Sequence, residues 1–177
     1  MYSLSSHIKK KKAFLIKRSD LLGRIDATSY TKMFTFISNK YENKKLSEVA
    51  LINPNTSFSK LKSNEEITFI PMEAVDDKDG VVIKTFSKQV GESNGFTRFK
   101  QGDLIWAKIT PCMQNGKSAV VNNTLNGFAC GSTEFYVIRP KDESIKVEYL
   151  HHLLRDQRIL NNAQNFFGGS AGQQRVS

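Results

Sequence analysis

A chain of 177 residues with 39% hydrophobic residues, twelve Phe among them, can bury a core without disulfide or metal staples, which excludes a disordered tail or a disulfide-built miniprotein. Lys and Arg outnumber Asp and Glu by 26 to 17, giving a formal net charge of +9. That excess favours a polyanionic partner, because Lys and Arg neutralise phosphates and release their counterions.

Compartment follows from what the sequence lacks. Cys112 and Cys130 form no CxxC pair and have no histidines near them, which is poor for zinc and for a disulfide framework. Both read as small buried or half-buried thiols in a reducing cytoplasm. No apolar run reaches membrane-spanning length, and the lysine-rich start lacks the apolar stretch of a signal peptide. The expectation is a cytoplasmic protein with no membrane partner and one main domain.

Residues 1–18 carry six basic and no acidic residues around Lys9–Lys12, a pattern of a solvated arm. Ala13–Ile16 reads as a short strand and Thr31–Asn39 as a weak helix, and residues 1–40 together form an arm and lead-in. Residues 41–177 then form a single domain. Lys45–Leu51 is predicted as one or two helical turns, stopped by Asn53-Pro54-Asn55. Ile67–Ile70 is a strand ended by Pro71, and Asp76–Gly80 is a turn into Val81-Val82-Ile83. Asp103–Thr110 is the strongest strand, with further strands at Lys117–Val121 and Thr133–Ile138 separated by Asn122-Asn123 and Asn126-Gly127 turns. Val147–Phe167 places Leu150, Leu153, Leu154, Leu160, Ala163 and Phe167 on one helical face, stopped by Gly168-Gly169. The spacing predicts an α+β fold: an antiparallel or mixed β-sheet core with a long amphipathic C-terminal helix packed on it.

Catalytic motifs fail on their own requirements. Pro111–Ser118 ends in Gly-Lys-Ser, but Pro111 stands where a phosphate loop needs glycine, and the strand-favouring Ala-Val-Val that follows cannot open a helix. Asn53-Pro54-Asn55-Thr56 resembles a base-flipping methyltransferase loop but lacks the second proline and the stacking aromatic, so it reads as a turn. His151 and His152 are adjacent on a helix and face different ways, and His7 has no partner nucleophile. Glu134 and Asp103 are single acids embedded in strand patterns. The chain is read as a non-enzyme, with no metal or cofactor of its own.

What remains is base-reading chemistry on loops. Lys108, Thr110, Gln114, Asn115 and Lys117 leave the strongest strand, and Gly168–Arg175 supplies Gln173, Gln174 and Arg175, with Arg98 adding charge. Gln and Asn can engage adenine edges bidentately, and Arg or Lys guanine, beside phosphate-binding charge. Turns also favour Gln and Asn, so the loops alone leave base reading open.

Four blocks in order carry a family resemblance: Ile70–Val75, Phe99–Lys117, Gly131–Pro140 and Gly168–Val176. Together they resemble the target-recognition domain of Type I restriction–modification specificity subunits, strongly over 66–177 and more weakly at Arg24–Tyr30. The resemblance implies a DNA-binding module that directs adenine methylation and restriction by partner subunits. Those methyltransferase and restriction subunits would carry the S-adenosylmethionine, ATP and Mg. It also implies a spacer helix and a second recognition domain, before which Ser177 falls. A second half-subunit is therefore a further candidate partner. A free-standing nucleic-acid-binding or regulatory protein, or an inactive half-subunit remnant, stands as the alternative. Which bases are read is not legible in the sequence.

Overall fold

The computed structural model describes residues 42–168 and 173–176. The predicted strand at Ala13–Ile16 and helix at Thr31–Asn39 lie outside them.

Two four-stranded sheets form the body. The first contains β1 (Ala50–Ile52), β5 (Leu104–Ala107), β6 (Ser118–Val120) and β8 (Phe135–Pro140), in the antiparallel order β1-β8-β5-β6. The second contains β2 (Glu66–Ile70), β3 (Phe86–Gln89), β4 (Thr97–Lys100) and β7 (Phe128–Gly131), in the order β3-β2-β7-β4. Its β2–β7 pair is parallel, so this sheet is mixed. Two helices, α2 (Val147–Leu154) and α3 (Gln157–Ala163), follow β8, and a short β9 (Phe167–Gly168) pairs with β10 (Arg175–Val176). A single turn, α1 (Leu46–Val49), precedes β1.

Alternation along the strands assigns each face. In β5, Ile105 joins Val137, Ala119, Phe99 and Ala129 between the sheets. Its neighbours Leu104 and Trp106 point the other way, into a cluster with Met113, Ile138, Leu150 and Leu160 that binds the helices. All four β5 residues are buried, which explains why this segment carries the strongest apolar signal. The second sheet turns Ile67, Phe69, Phe128 and Cys130 onto its outer face, where Phe58 and Phe96 cover them. The described residues are layered as loop cover, mixed sheet, antiparallel sheet, helices.

The chain passes from β4 in one sheet to β5 in the other through Gln101-Gly102-Asp103, where Gly102 takes φ +85°. Asp103 is fully buried at this corner. Its carboxylate accepts from Lys100 N at 2.8 Å and receives the Arg139 guanidinium bidentately, Nε at 2.6 Å and Nη2 at 2.7 Å. Nη2 of Arg139 also donates to Thr56 Oγ1 at 2.8 Å.

Several expectations are corrected. Lys45–Leu51 is not continuous helix: after one turn the chain becomes β1, whose Ala50–Ile52 pair with Ile138–Pro140. Val81–Ile83 makes only an isolated bridge, Val75 to Val82. The Asp103–Thr110 strand ends at Ala107, and Glu134 lies in the turn before β8 rather than within it. Val147–Phe167 is not one helix, because Asp156 ends the first part and N-caps the second, its carboxylate accepting from Arg158 N at 2.8 Å. Cys112 is half-buried and Cys130 buried, both as free thiols, as expected.

Two stability predictions follow from this packing. Asp103→Asn strands a mostly covered Arg139, with 18% side-chain exposure, and is expected to cost about 3 kcal/mol. Asp103→Leu combined with Arg139→Met is expected to cost less than either single change; urea denaturation of all variants checks the non-additivity. Gly131→Ala would set a Cβ 2.2 Å from the Ile70 carbonyl oxygen, where backbone cannot yield across the parallel pair. A loss of at least 1–3 kcal/mol is expected, roughly the cost of overpacking, read from the same denaturation midpoint.

Candidate nucleic-acid interface

One end of the two sheets gathers segments that are distant in sequence. Beyond β5, Lys108 N donates to Glu134 O at 2.9 Å, and Val176 N donates to Lys108 O at 3.0 Å. Thr110 exchanges a second pair of bonds with Gln174: its N–H reaches Gln174 O at 2.9 Å, and its Oγ1 accepts Gln174 N at 3.1 Å. An isolated bridge between Ile109 and Arg175 completes the register. Residues 173–176 thereby lie along the exit of β5, and Tyr136 holds them from the other side through its hydroxyl, 2.9 Å from Val176 O. Thr110 spends its hydroxyl on this docking, while Gln173 and Gln174 are exposed.

Arg175 is committed as well. Its Nε and Nη2 meet the Glu134 carboxylate at 2.9 and 2.7 Å. The bonds from Arg175, followed by the charges of Arg175 and Lys108, hold the Glu134 carboxyl below the usual carboxylate range against the opposing effect of its partial burial.

The loop 111–117 hangs from the same end. Met113 is buried under it as an anchor, and Gln114 and Asn115 are exposed beside it. Gly116 takes φ +73°, and a Cβ there would stand 3.1 Å from Leu160, so the loop closes on a helix at a position that suits glycine. Asn115 Nδ2 donates to Asp77 Oδ2 at 3.2 Å, and Lys117 Nζ to Met72 O at 3.3 Å. Gln114 Nε2 lies 3.5 Å from Gln164 Oε1.

Arg155 clamps this loop from below. Its guanidinium donates to Gly116 O at 3.0 Å, Asp77 O at 2.9 Å and Lys78 O at 2.7 Å, joining the 111–117 loop to the 76–80 turn. Trp106 Nε1 fixes the helix end that carries Arg155 by donating to Leu154 O at 3.3 Å. His151, one turn earlier, meets Ser118 O at 3.3 Å, and burial pushes its imidazole below the ordinary histidine value. Its neighbour His152 is exposed, so the two do face different ways. Ser118 opens a strand, as the rejection of a phosphate loop requires.

An open cleft of about 330 Å³ lies between the sheet ends. Arg98 of β4 and Lys108 beyond β5 line it, with Asn53, Asn55 and Thr133 exposed at its rim and Phe135 and Val137 buried within it. Asn53 shapes the rim: at φ +50° its N–H donates to Val137 O at 2.7 Å and its Oδ1 accepts Val137 N at 2.9 Å. The sequence points to Arg98 and Lys108 here but not to Asn53 and Asn55, which read as a turn once the base-flipping loop is rejected, nor to Thr133, which reads as the start of a strand. The predicted positions thus fall into three groups: Arg98 and Lys108 at the cleft, Thr110 with 173–175 along β5, and Gln114, Asn115 and Lys117 on the clamped loop.

Comparison with known proteins gives one consistent answer. The chain is 37% identical over 132 residues to the Type I restriction enzyme EcoAI specificity subunit of Escherichia coli, and 33% identical over 132 residues to the EcoEI specificity subunit of the same organism. Each match covers 74% of this chain but 22% of the relative, so the chain spans about a fifth of their length. The fold resembles the HsdS subunit from Thermoanaerobacter tengcongensis, with a TM-score of 0.58 and 23% identity over 75% of this chain and 33% of that one. It also resembles a chain from a study of complex assembly and conformational transition of the type I R-M system, with a TM-score of 0.54 and 24% identity over 67% of this chain and 30% of that one. Residues 38–177 match the family described as the Type I restriction modification DNA specificity domain, and the chain belongs to that family.

Proposed function

We propose that this chain is the target-recognition module through which a Type I restriction–modification complex reads duplex DNA, binding a short sequence and leaving the chemistry to partner subunits. The observation that carries this reading is the convergence of amide and cationic side chains from separate segments at one end of a rigid pair of sheets. Such a surface combines groups that can engage base edges with charge that can neutralise phosphates. A net charge of +9 supports the same partner. The specificity subunits that this chain resembles supply the rest of the proposal: methyltransferase subunits that bind S-adenosylmethionine, and restriction subunits that use ATP and Mg, assemble around it.

Within that surface, Gln114 and Asn115 are the proposed base readers. They are exposed, they sit on a loop anchored by Met113, and amide side chains are suited to adenine edges. Arg155 acts through them as a positioning residue, because it fixes the loop backbone at Gly116, next to Asn115.

Selection from a randomised duplex pool, at moderate salt with competitor DNA, tests the reading. A short enriched motif is the expected result, and sequence-indifferent binding alone would sink it. Gln114→Ala and Asn115→Ala are each expected to relax the motif at one position, with a loss of about 1–3 kcal/mol for the preferred base. Arg155→Ala is expected to blur the positions read by both residues while total DNA binding persists, with partial recovery in Arg155→Lys. Sequencing of the selected pools measures all of these effects.

A further inference from the structure

We infer that the cleft between Arg98 and Lys108 seats a backbone phosphate of the bound duplex, so that these two residues set affinity and register rather than sequence. The inference rests on the proposed reading of the chain as a DNA-recognition module and divides labour within it. Three observations carry it.

The first is charge. Two cations line the cleft, and among the described residues no carboxylate does. Glu134, whose carboxyl feels the Lys108 charge, is already held by Arg175. Among the described residues neither Arg98 nor Lys108 forms an ion pair. The Lys108 ammonium instead lies 5.6 Å from the Tyr136 ring centroid, a placement that steadies a point charge without neutralising it.

The second is the hydrogen-bonding geometry of Arg98. Its Nη2 donates to Ser93 Oγ and to Asn94 Oδ1, both at 3.0 Å, and its guanidinium lies 4.8 Å from the Phe58 ring centroid. Nη2 has two hydrogens, and both are used. Each two-pronged edge of a guanidinium includes Nη2, so Arg98 keeps no intact fork with which to read guanine O6 and N7. What it retains is a pre-positioned positive charge with its remaining N–H groups, which suits a phosphate oxygen.

The third is the rim. Among the described residues the side chains of Asn55 and Thr133 make no hydrogen bond, and both are exposed at the edge of the cleft. An amide N–H and a hydroxyl at that position can complete the hydrogen bonding of a phosphodiester. The cleft is open, which fits a group presented on the surface of a long polymer.

The test uses the full 177-residue chain and a duplex carrying its selected motif, with Kd measured by fluorescence anisotropy across a salt series. Lys108→Gln and Arg98→Gln are each expected to weaken binding equally for matched and mismatched duplexes. Each is also expected to make the slope of log K against log salt shallower by about 0.9, the value for one lost contact with B-form DNA. Asn55→Ala is expected to weaken binding without altering the slope or the motif. Thermal melting checks each fold; Arg98→Gln also removes packing on Phe58, and if it unfolds the Lys108→Gln slope decides alone.

An unchanged slope, or a change of motif at one base position, overturns the inference while leaving the recognition reading intact. Inorganic phosphate titrated at fixed ionic strength separates the sources of the anion. If it occupies the cleft in calorimetry and Lys108→Gln abolishes that binding with the DNA slope unchanged, the cleft is a small-anion site and the inference fails. A wild-type chain that binds no duplex at any salt removes the recognition reading and this inference together.

Discussion

The corner at Asp103 holds the two sheets and the candidate interface in one frame. A buried carboxylate is costly unless its charge and its lone pairs are both met. Here the Lys100 N–H and the bidentate Arg139 meet them, and each partner comes from a different sheet. Lys100 closes β4, Asp103 leads into β5, and Arg139 lies on β8, so one charge cluster fixes the crossing between layers. Arg139 then passes the constraint outward by holding Thr56, which follows the Asn53–Asn55 turn at the rim of the cleft. The position of the rim is tied to the same corner that sets the relation between the sheets.

From that corner the rest of the interface is assembled by bonds to the main chain, several of them completed by side-chain oxygens such as Thr110 Oγ1 and Asn53 Oδ1. Residues 173–176 are laid along β5 by the Thr110–Gln174 and Lys108–Val176 pairs. The rim is laid along β8 by the Asn53–Val137 pair. Both attachments extend ladders already present in the first sheet, so the polar segments inherit its rigidity. The Glu134–Arg175 pair adds a side-chain lock that is half exposed and contributes correspondingly little stability, but it limits where the Arg175 guanidinium can point.

Much of this scaffold was legible in the sequence, and what was missed has physical reasons. Ile67–Ile70 and Leu104–Ala107 are central strands whose apolar runs are buried on both faces, the strongest signal a strand can give. β3, Phe-Ser-Lys-Gln, is an edge strand exposed over most of its length, so no apolar alternation marks it. β7, Phe-Ala-Cys-Gly, is buried yet small, because Gly131 must pass within contact of the Ile70 carbonyl; small residues read as a turn. The helical pattern of Val147–Phe167 holds for Leu150, Leu154, Leu160 and Ala163, which pack in one cluster on the sheet. It does not hold for Leu153, outside that cluster, or for Phe167, which lies in β9, and it concealed the capping signal of Asp156. For the candidate site, residue types on loops identified Lys108, Gln114 and Gln174. The Glu134–Arg175 and Asp103–Arg139 pairs, however, join residues brought together only by the order β1-β8-β5-β6. The family resemblance, placed on 66–177 from motif blocks, extends to 38–177 in the comparison. The difference covers α1, β1 and the Asn53 turn, which carry few residues that a motif reader would notice.

The way the 111–117 loop is held bears on how a recognition surface can change its target. Arg155 grips Gly116, Asp77 and Lys78 through their carbonyl oxygens, and every residue type has a carbonyl. The grip therefore does not depend on the side chains at 114 and 115, which are exposed beside the buried Met113 anchor. Substitution at those two positions alters the exposed groups of the loop and leaves the clamp intact. The side-chain ties these two residues make, Asn115 to Asp77 at 3.2 Å and Gln114 to Gln164 at 3.5 Å, are long and exposed, so their loss costs little. The cleft behaves in the opposite way. Arg98 is held through its own guanidinium on Ser93, Asn94 and Phe58, so replacing it disturbs packing as well as charge. On the proposed reading, a surface built in this manner keeps the charge at the cleft constant while the residues at 114 and 115 are free to vary.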